Sequence, residues 1–341
     1  MKLKEPVPVT VLTGFLGAGK TTLLNFLLTQ EHGHKCAIII NEFGPISIDN
    51  QLVVGVDEEI VELNNGCLCC RVRGDLVRSL GDLFKKQKRF DYVLIETTGL
   101  ADPGPVAQTF FMPEMAKLLR LDGIVTVADA KHLDKELAEA PEASAQIAFA
   151  DVVLLNKTDL VPAAELEQLE SRIRRMNSLA KIFRTERSQI EPSKIFNIKA
   201  RDLKDSFREG VGDHSDDHDA SHSHDHGDHD HEEHDHTHAH HDESISSFAI
   251  ADERALDLKK TEAWLSDVLS TKGANIYRSK GILYIKGQPK RVVFQGVQMM
   301  FDAIPERFWN PNEKRMNQVV FIGKDLDEPT IRSGFEACIA V

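Results

Sequence analysis

The sequence predicts an α/β chain: a doubly wound, mostly parallel sheet with helices on both faces, followed by a smaller α+β domain. Three observations carry this expectation. Upstream of residue 200, short β-branched runs (VPVTVLT, CAIIIN, YVLIET, GIVTVAD, DVVLLNK) alternate with helical stretches such as TTLLNFLLTQ, RGDLVRSLGDLFKKQ and AAELEQLESRIRRM, the pattern of strand–helix–strand units. Residues 213–243 then hold twelve acids, twelve of the fifteen histidines, and no large apolar side chain. Such a segment cannot bury a core and is expected to be a disordered linker. Beyond it, SISSFAIADE, NIYRSKGILYIKG, RVVFQGVQMMF and NQVVFIGK read as strands, KTEAWLSDVLS as a helix, and PTIRSGFEACIA as a closing helix.

Composition narrows the function classes. With 341 residues and 41% hydrophobic content, the chain can bury a sizeable core and has the length of two domains. The net charge of −13 comes from the histidine-rich segment, because the rest of the chain sets 41 basic against 42 acidic residues. Nearly neutral surfaces offer no basic field for nucleic acid and no polybasic patch for a membrane. The first strand begins just after Lys2 and Lys4 with no apolar leader, and no run is long enough to span a bilayer. The expectation is a cytoplasmic protein. In a reducing compartment the cluster Cys67, Cys69 and Cys70, three of five cysteines, suits a metal or redox site better than disulfides. Cys36 and Cys338 sit in apolar patterns and are expected to be buried thiols.

The stretch GFLGAGKTT follows the first strand and opens a helix, with Gly14, Gly19, Lys20 and Thr21 in the register of a P-loop. In such a loop the backbone N–H groups of residues such as Gly17, Ala18, Gly19 and Thr22 converge on phosphates, and the helix N-terminus adds its positive end. Lys20 is expected to reach the β/γ-phosphates, and the Thr21 hydroxyl to take Mg²⁺.

DVVLLNKTDL then places Asn156, Lys157 and Asp159 at a strand end, where nucleotide-binding loops of such sheets lie. An Asp carboxylate accepts hydrogen bonds from the N1–H and exocyclic amine of guanine, and adenine would leave it unpaired. Asn156 is expected on the other purine edge, and Lys157 over the ring. The nucleotide is therefore expected to be GTP.

FDYVLIETTGLADP ends a hydrophobic strand in Glu96, followed by Gly99. Glu96 is expected opposite the P-loop, holding the Mg²⁺ shell and orienting the attacking water, with Lys20 as its catalytic companion. Gly99 can report the γ-phosphate through its N–H, making residues 97–104 a switch. In IIINEFGPISID, Glu42 and Asp49 are further carboxylates for the metal and phosphates, with turn capping as an equal alternative for Glu42.

Thiolates are soft ligands that suit Zn²⁺, and three cysteines in four positions leave a tetrahedral shell incomplete. Water, a carboxylate such as Glu42, or a donor from a client protein could complete it. The interleaved histidines and acids, represented by His222, His224 and His226, supply imidazole and carboxylate ligands for zinc, copper, nickel or cobalt.

Taken together, the P-loop, NEFG, GCLCC, ExxG and NKxD motifs, in that order, resemble the CobW-like branch of P-loop GTPases that serve metalloprotein maturation. The resemblance runs from about Val7 to Ala200 and continues in KGILYIKG, RVVFQGVQ and VVFIGKDLD. With the histidine- and acid-rich segment expected as a disordered metal-binding linker over 208–244, it implies a P-loop GTPase domain over 1–207 and a CobW C-terminal domain over 245–341. It also implies a GTPase that couples nucleotide state to binding and delivery of a transition metal, Zn²⁺ or alternatively Co²⁺, to a client metalloprotein. Cys67, Cys69 and Cys70 correspond to the family's metal site, and Glu96 to its Walker-B glutamate. Ile40, Pro45, Met112 and Pro113 stand where some relatives carry acids or a histidine, so an accessory surface site built on those groups is not expected here. A zinc buffer or sensor and a cobalt, cobalamin or nitrile-hydratase maturation factor are the rival readings. Neither the client nor the oligomeric state is written in the sequence.

Overall fold

The computed structural model describes residues 5–41, 59–63, 76–78, 80–81, 90–199 and 244–340. Glu42, Asp49, Cys67, Cys69, Cys70, His222, His224, His226 and most of the RGDLVRSLGDLFKKQ helix lie outside the described residues.

The first part of the chain folds around seven parallel strands. They are β1 (Val7–Thr13), β2 (Cys36–Asn41), β3 (Glu59–Leu63), β4 (Tyr92–Glu96), β5 (Leu119–Asp129), β6 (Val152–Asn156) and β7 (Lys181–Thr185). Their order in the sheet is β3-β2-β4-β1-β5-β6-β7, and every pairing is parallel. Period-two alternation sends successive side chains to opposite faces. Val9 and Val11 of β1 join Ile39, Val93 and Ile95 on one face, together with Val106, Ala107 and Phe149. Leu12 joins Ile38, Leu94 and Val125 on the other, beneath Leu23, Leu24 and Leu27.

Those covering residues come from helices α1 (Lys20–Thr29), α2 (Gly104–Thr109) and α4 (Pro141–Phe149); α3 (Leu133–Glu139) and α5 (Ala163–Met176) flank the β6 side. With both faces covered, the strands read as near-continuous apolar runs, which is why the sequence signalled them. Two strands carried no such signal. KIFRT of β7 is an edge strand, half-buried with Arg184 exposed, and EIVEL of β3 is short and carries two acids.

The second part forms an antiparallel sheet from β8 (Ile245–Asp252), β9 (Ile276–Leu283), β10 (Lys290–Val297), β11 (Met300–Phe308) and β12 (Asn317–Lys324). Its order is β11-β10-β9-β12-β8. The single strand expected from RVVFQGVQMMF is instead a hairpin, because Gln298 takes a positive φ of 51° and turns the chain between Val297 and Met300, which pair with each other. Helices α6 (Leu258–Lys272) and α7 (Glu328–Ala337) cover one face through Trp264, Leu265, Ile331 and Phe335. On the other face Ile245, Ile282, Val320 and Ile322 share a core with Ile147, Leu155 and Ile173 of the parallel-sheet part. Cys36 and Cys338 are buried thiols, as expected. Among the described residues no helix is long and apolar enough to cross a membrane.

A buried ion cluster spans the two parts. Asp151, just before β6, is buried; it accepts from the Ile124 N–H at 2.8 Å and from Arg278 Nη2 at 2.8 Å, and it pairs with Lys280. Burial pushes the Asp151 carboxyl up, but the charges of Arg278 and Lys280 outweigh it and hold the group below the usual carboxylate range. Removing one member of a buried ion cluster strands the others without a counter-charge, at a cost of about 3–5 kcal/mol. Asp151→Ala is therefore expected to lower stability by roughly that amount in urea unfolding; a change below about 0.5 kcal/mol, as at ordinary surface sites, would show that the cluster does not hold the parts together.

Candidate functional site

The C-terminal ends of β1, β4, β5 and β6 bring the sequence-predicted residues to one edge of the sheet. β1 ends at Thr13, and the chain turns at Gly14 with φ 138°, where an added Cβ would stand 2.1 Å from the Val127 carbonyl oxygen. Gly19 has φ 115°, and a Cβ there would meet Asn156 Nδ2 at 2.6 Å and Ser188 Oγ at 2.7 Å. Both positions require glycine, for conformation and for space. Helix α1 then starts at Lys20 with no side-chain cap. The positive end of the helix therefore lies at the loop, which suits a phosphate. Lys20 is 8% exposed and its ammonium donates to the carbonyls of Gly14 at 2.8 Å and Phe15 at 3.1 Å. That places the charge across the mouth of the loop.

Glu96 is directly opposite. β4 is the neighbour of β1, with Glu96 in register with Leu12, so the carboxylate lies beside the P-loop and is 4% exposed. The Thr21 hydroxyl donates to Glu96 Oε1 at 3.3 Å. A hydroxyl and a carboxylate this close give the pair of hard oxygen donors that Mg²⁺ takes, so the residues fit that ion.

Beyond Glu96, Thr97 N–H donates to the Leu12 carbonyl at 2.9 Å and its hydroxyl to Thr13 Oγ1 at 2.9 Å. Gly99 lies against the P-loop so closely that a Cβ would stand 2.7 Å from the Leu16 nitrogen. Gln146, from α4 and 1% exposed, fixes this segment by donating to the carbonyls of Gly99 at 3.0 Å and Ala101 at 3.1 Å.

At the end of β6, the Asn156 side chain is buried among polar partners. Its Nδ2 donates to the Ala18 carbonyl at 2.8 Å and to Ser188 Oγ at 3.0 Å; its Oδ1 accepts from Ser188 N–H at 2.8 Å and Thr185 Oγ1 at 3.1 Å. Both amide ends are engaged and the side chain is 2% exposed, so it ties the P-loop to the turn at Ser188 and the end of β7. Lys157 follows in a left-handed conformation, φ 61°, and its ammonium donates to Asp129 Oδ2 at 2.6 Å. Asp159 is exposed in a 3-10 turn over Thr158–Leu160, free of the packing that fixes Asn156.

Sequence reasoning missed several of these groups. Ser188, fully buried, donates from Oγ to the Gly19 carbonyl at 3.0 Å, and no motif marks it. Asp129 ends β5 as Glu96 ends β4, so the strand-end signal applied to Glu96 would have found it. Glu136, one turn beyond His132 on α3, is pushed up to about 7, first by burial and then by the negative charge of Asp129. Among the described residues no group of three or more His, Cys, Asp or Glu side chains is placed to hold a metal ion.

A wholly parallel sheet with a glycine cradle, a buried strand-end glutamate and a second loop two strands away defines a P-loop nucleotide-binding protein. The chain belongs to the CobW/HypB/UreG family: residues 8–184 match its nucleotide-binding domain, and residues 245–339 match the cobalamin synthesis protein CobW C-terminal domain. It is 36% identical over 336 residues to the zinc chaperone YjiA of Escherichia coli strain K12, covering 97% of this chain and 98% of that protein. It is 34% identical to the zinc-regulated GTPase metalloprotein activator 1 of Schizosaccharomyces pombe, covering 94% and 83%. Among solved structures it is similar to the Zn(II)-bound YjiA GTPase from E. coli, with a TM-score of 0.73, 31% identity, and coverage of 99% and 100%.

Two outcomes follow for the site. Asn156→Ala leaves the Ser188 N–H buried without its acceptor and frees the P-loop, so it is expected to cost about 1–3 kcal/mol and to weaken nucleotide binding without touching the nucleotide. Unchanged binding in a fluorescent-nucleotide titration would refute the bracing role. Glu136 has an ordinary value of 4.5 raised to about 7, so between these pH values the folded chain holds a proton that the unfolded chain has lost. Stability contributed by Glu136 therefore falls as pH rises through that window. Thermal scans of Glu136→Gln are expected to show a shallower decline from pH 5 to 7 than the parent protein.

Proposed function

We propose that this chain is a GTP-hydrolysing metallochaperone that takes up Zn²⁺ at Cys67, Cys69 and Cys70 and passes it to a client metalloprotein as its nucleotide state changes. The observation that carries this reading is the meeting of Lys20, Thr21 and Glu96 around a glycine cradle. Its support from relatives is end-to-end similarity to proteins named as zinc chaperones and GTPases. The division into residues 1–207, 208–244 and 245–341, and work in the cytoplasm, belong to the same proposal.

In this reading the cradle N–H groups hold the phosphates, and Lys20 exchanges its two carbonyl partners for the β/γ-phosphate oxygens. Asp159 accepts from the guanine N1–H and exocyclic amine. Thr21 and Glu96 would hold Mg²⁺, which supplies charge neutralisation on the β- and γ-phosphate oxygens. Glu96, buried beside the cradle, orients the attacking water. Gly99 senses the γ-phosphate through its N–H, and its contact with Leu16 means that a change in the P-loop is felt along residues 97–104.

Metal handling belongs to the cysteine loop. Three thiolates leave one coordination position for water, Glu42 or a client donor, and an open position favours exchange. Bound GTP sets the arrangement of residues 41–50 and 97–104 and tightens the thiolate site between them in sequence; hydrolysis reverses this and releases the ion. The histidine-rich segment, including His222, His224 and His226, serves as a reservoir.

The test is a metal-competition titration of the whole protein with GTP, GDP and no nucleotide, beside a variant with Cys67, Cys69 and Cys70 replaced by Ser. Zinc is expected to bind about 5–150-fold more tightly with GTP than with GDP, the usual range for coupled sites, and zinc must raise the preference for GTP over GDP by the same factor. Equal affinity in the two states sinks the coupling, and preference for cobalt over zinc favours the maturation-factor rival. Lys20→Ala is expected to lower kcat by about 10²-fold or more, as loss of a transition-state donor does; hydrolysis at the parent rate would remove Lys20 from the mechanism.

A further inference from the structure

We infer that Asp129 is a positioning residue for nucleotide binding: its carboxylate sets the Lys157 ammonium in place between the phosphate cradle and the base-reading turn. This rests on the guanine-nucleotide reading of the site.

Topology makes the position meaningful. β5 lies between β1, which carries the cradle, and β6, which carries the NKxD turn. A nucleotide with its phosphates on the first and its base on the second must pass over the end of β5. Asp129 is the last residue of that strand, in register with Asn156, and the Ala130 N–H donates to the Asn156 carbonyl at 2.9 Å. The start of the base-reading turn is thus tied to Asp129 by backbone as well as by side chain.

The carboxylate is built to hold a cation. Its side chain is 4% exposed, and it accepts from the Lys131 N–H at 3.0 Å, His132 Nδ1 at 2.9 Å and Lys157 Nζ at 2.6 Å. Burial pushes the group up, and the hydrogen bonds from Lys157 and His132 bring it below the usual carboxylate range, so it is ionised at neutral pH. Lys157 needs such an anchor. It starts in a left-handed conformation that a lysine disfavours, and its long side chain is otherwise free to sample many rotamers. Held by Asp129, the stem is laid out before the nucleotide arrives, and the ordering cost does not fall on binding.

A positioning role and a merely structural one differ in how losses combine. The whole protein is titrated with N-methylanthraniloyl-GDP, with steady-state GTP hydrolysis alongside, for the parent, Asp129→Asn, Lys157→Met and the double variant. Each single variant is expected to bind about ten-fold more weakly, with the loss in KM rather than kcat, and the double variant no more weakly than Lys157→Met. Asp129→Glu is expected to recover part of the loss, and it replaces Asp129→Asn in the comparison if the latter fails to fold. Losses that multiply in the double variant, or parent-like affinity in Asp129→Asn, overturn the inference. A parent protein that binds adenine nucleotides as tightly as guanine ones overturns the guanine reading instead, and is seen before any variant is made.

Discussion

The site depends on the side-chain amide of Asn156. A carbonyl oxygen and an NH₂ group on one buried carbon hold the P-loop at Ala18, the end of β7 at Thr185 and the turn at Ser188 in a fixed relation. Buried amides that satisfy both ends in a low-dielectric interior are rigid, because every displacement leaves a polar group unpaired. Gly19 is the other half of the same device. Its missing side chain is what lets Asn156 and Ser188 reach the loop. The P-loop, Asn156 and the turn at Ser188 are therefore held in one rigid relation.

β6 links that unit to the rest of the molecule. It spans Val152–Asn156, roughly 16 Å at the usual rise per residue. At one end Asn156 braces the nucleotide site; just before the other end Asp151 takes Arg278 and Lys280 of β9. A strand buried on both faces transmits displacement rather than absorbing it. The antiparallel sheet is thus fastened to the same strand that carries the NKxD turn. A second path leaves through α2, which follows the 97–104 segment. Its Gln108 donates to Gln298 at the β10–β11 turn at 2.5 Å. Both routes lead from the cradle's edge of the parallel sheet to the C-terminal sheet.

Much of this was legible in the residues. The apolar runs of β1, β2, β4, β5 and β6 declared a buried parallel sheet, and GFLGAGKTT declared where its ligand edge lies, because glycine, lysine and threonine at those spacings do one physical job. Glu96 could be placed because a strand end in such a sheet has one destination. Edge strands carried less information: KIFRT of β7 has a half-exposed pattern that a loop would share, and the hairpin in RVVFQGVQMMF hinges on Gln298, a residue type with no turn preference. Ser188 and Gln146 bind carbonyls far away in the chain, at Gly19 and Gly99, so local pattern could not reveal them.

Sequence by itself determined the class of fold, the P-loop with Lys20, Thr21 and its glycines, and the carboxylate facing it, because these follow from backbone geometry and from residue types that few other chemistries use. Tertiary structure decided the partners. It turned Asn156 inward as a brace, gave Lys157 to Asp129, raised Glu136 and buried Asp151 between two cations. Each of these outcomes depends on which strand ends the parallel order sets side by side, and on how much water that packing excludes. Neither quantity is local to the chain.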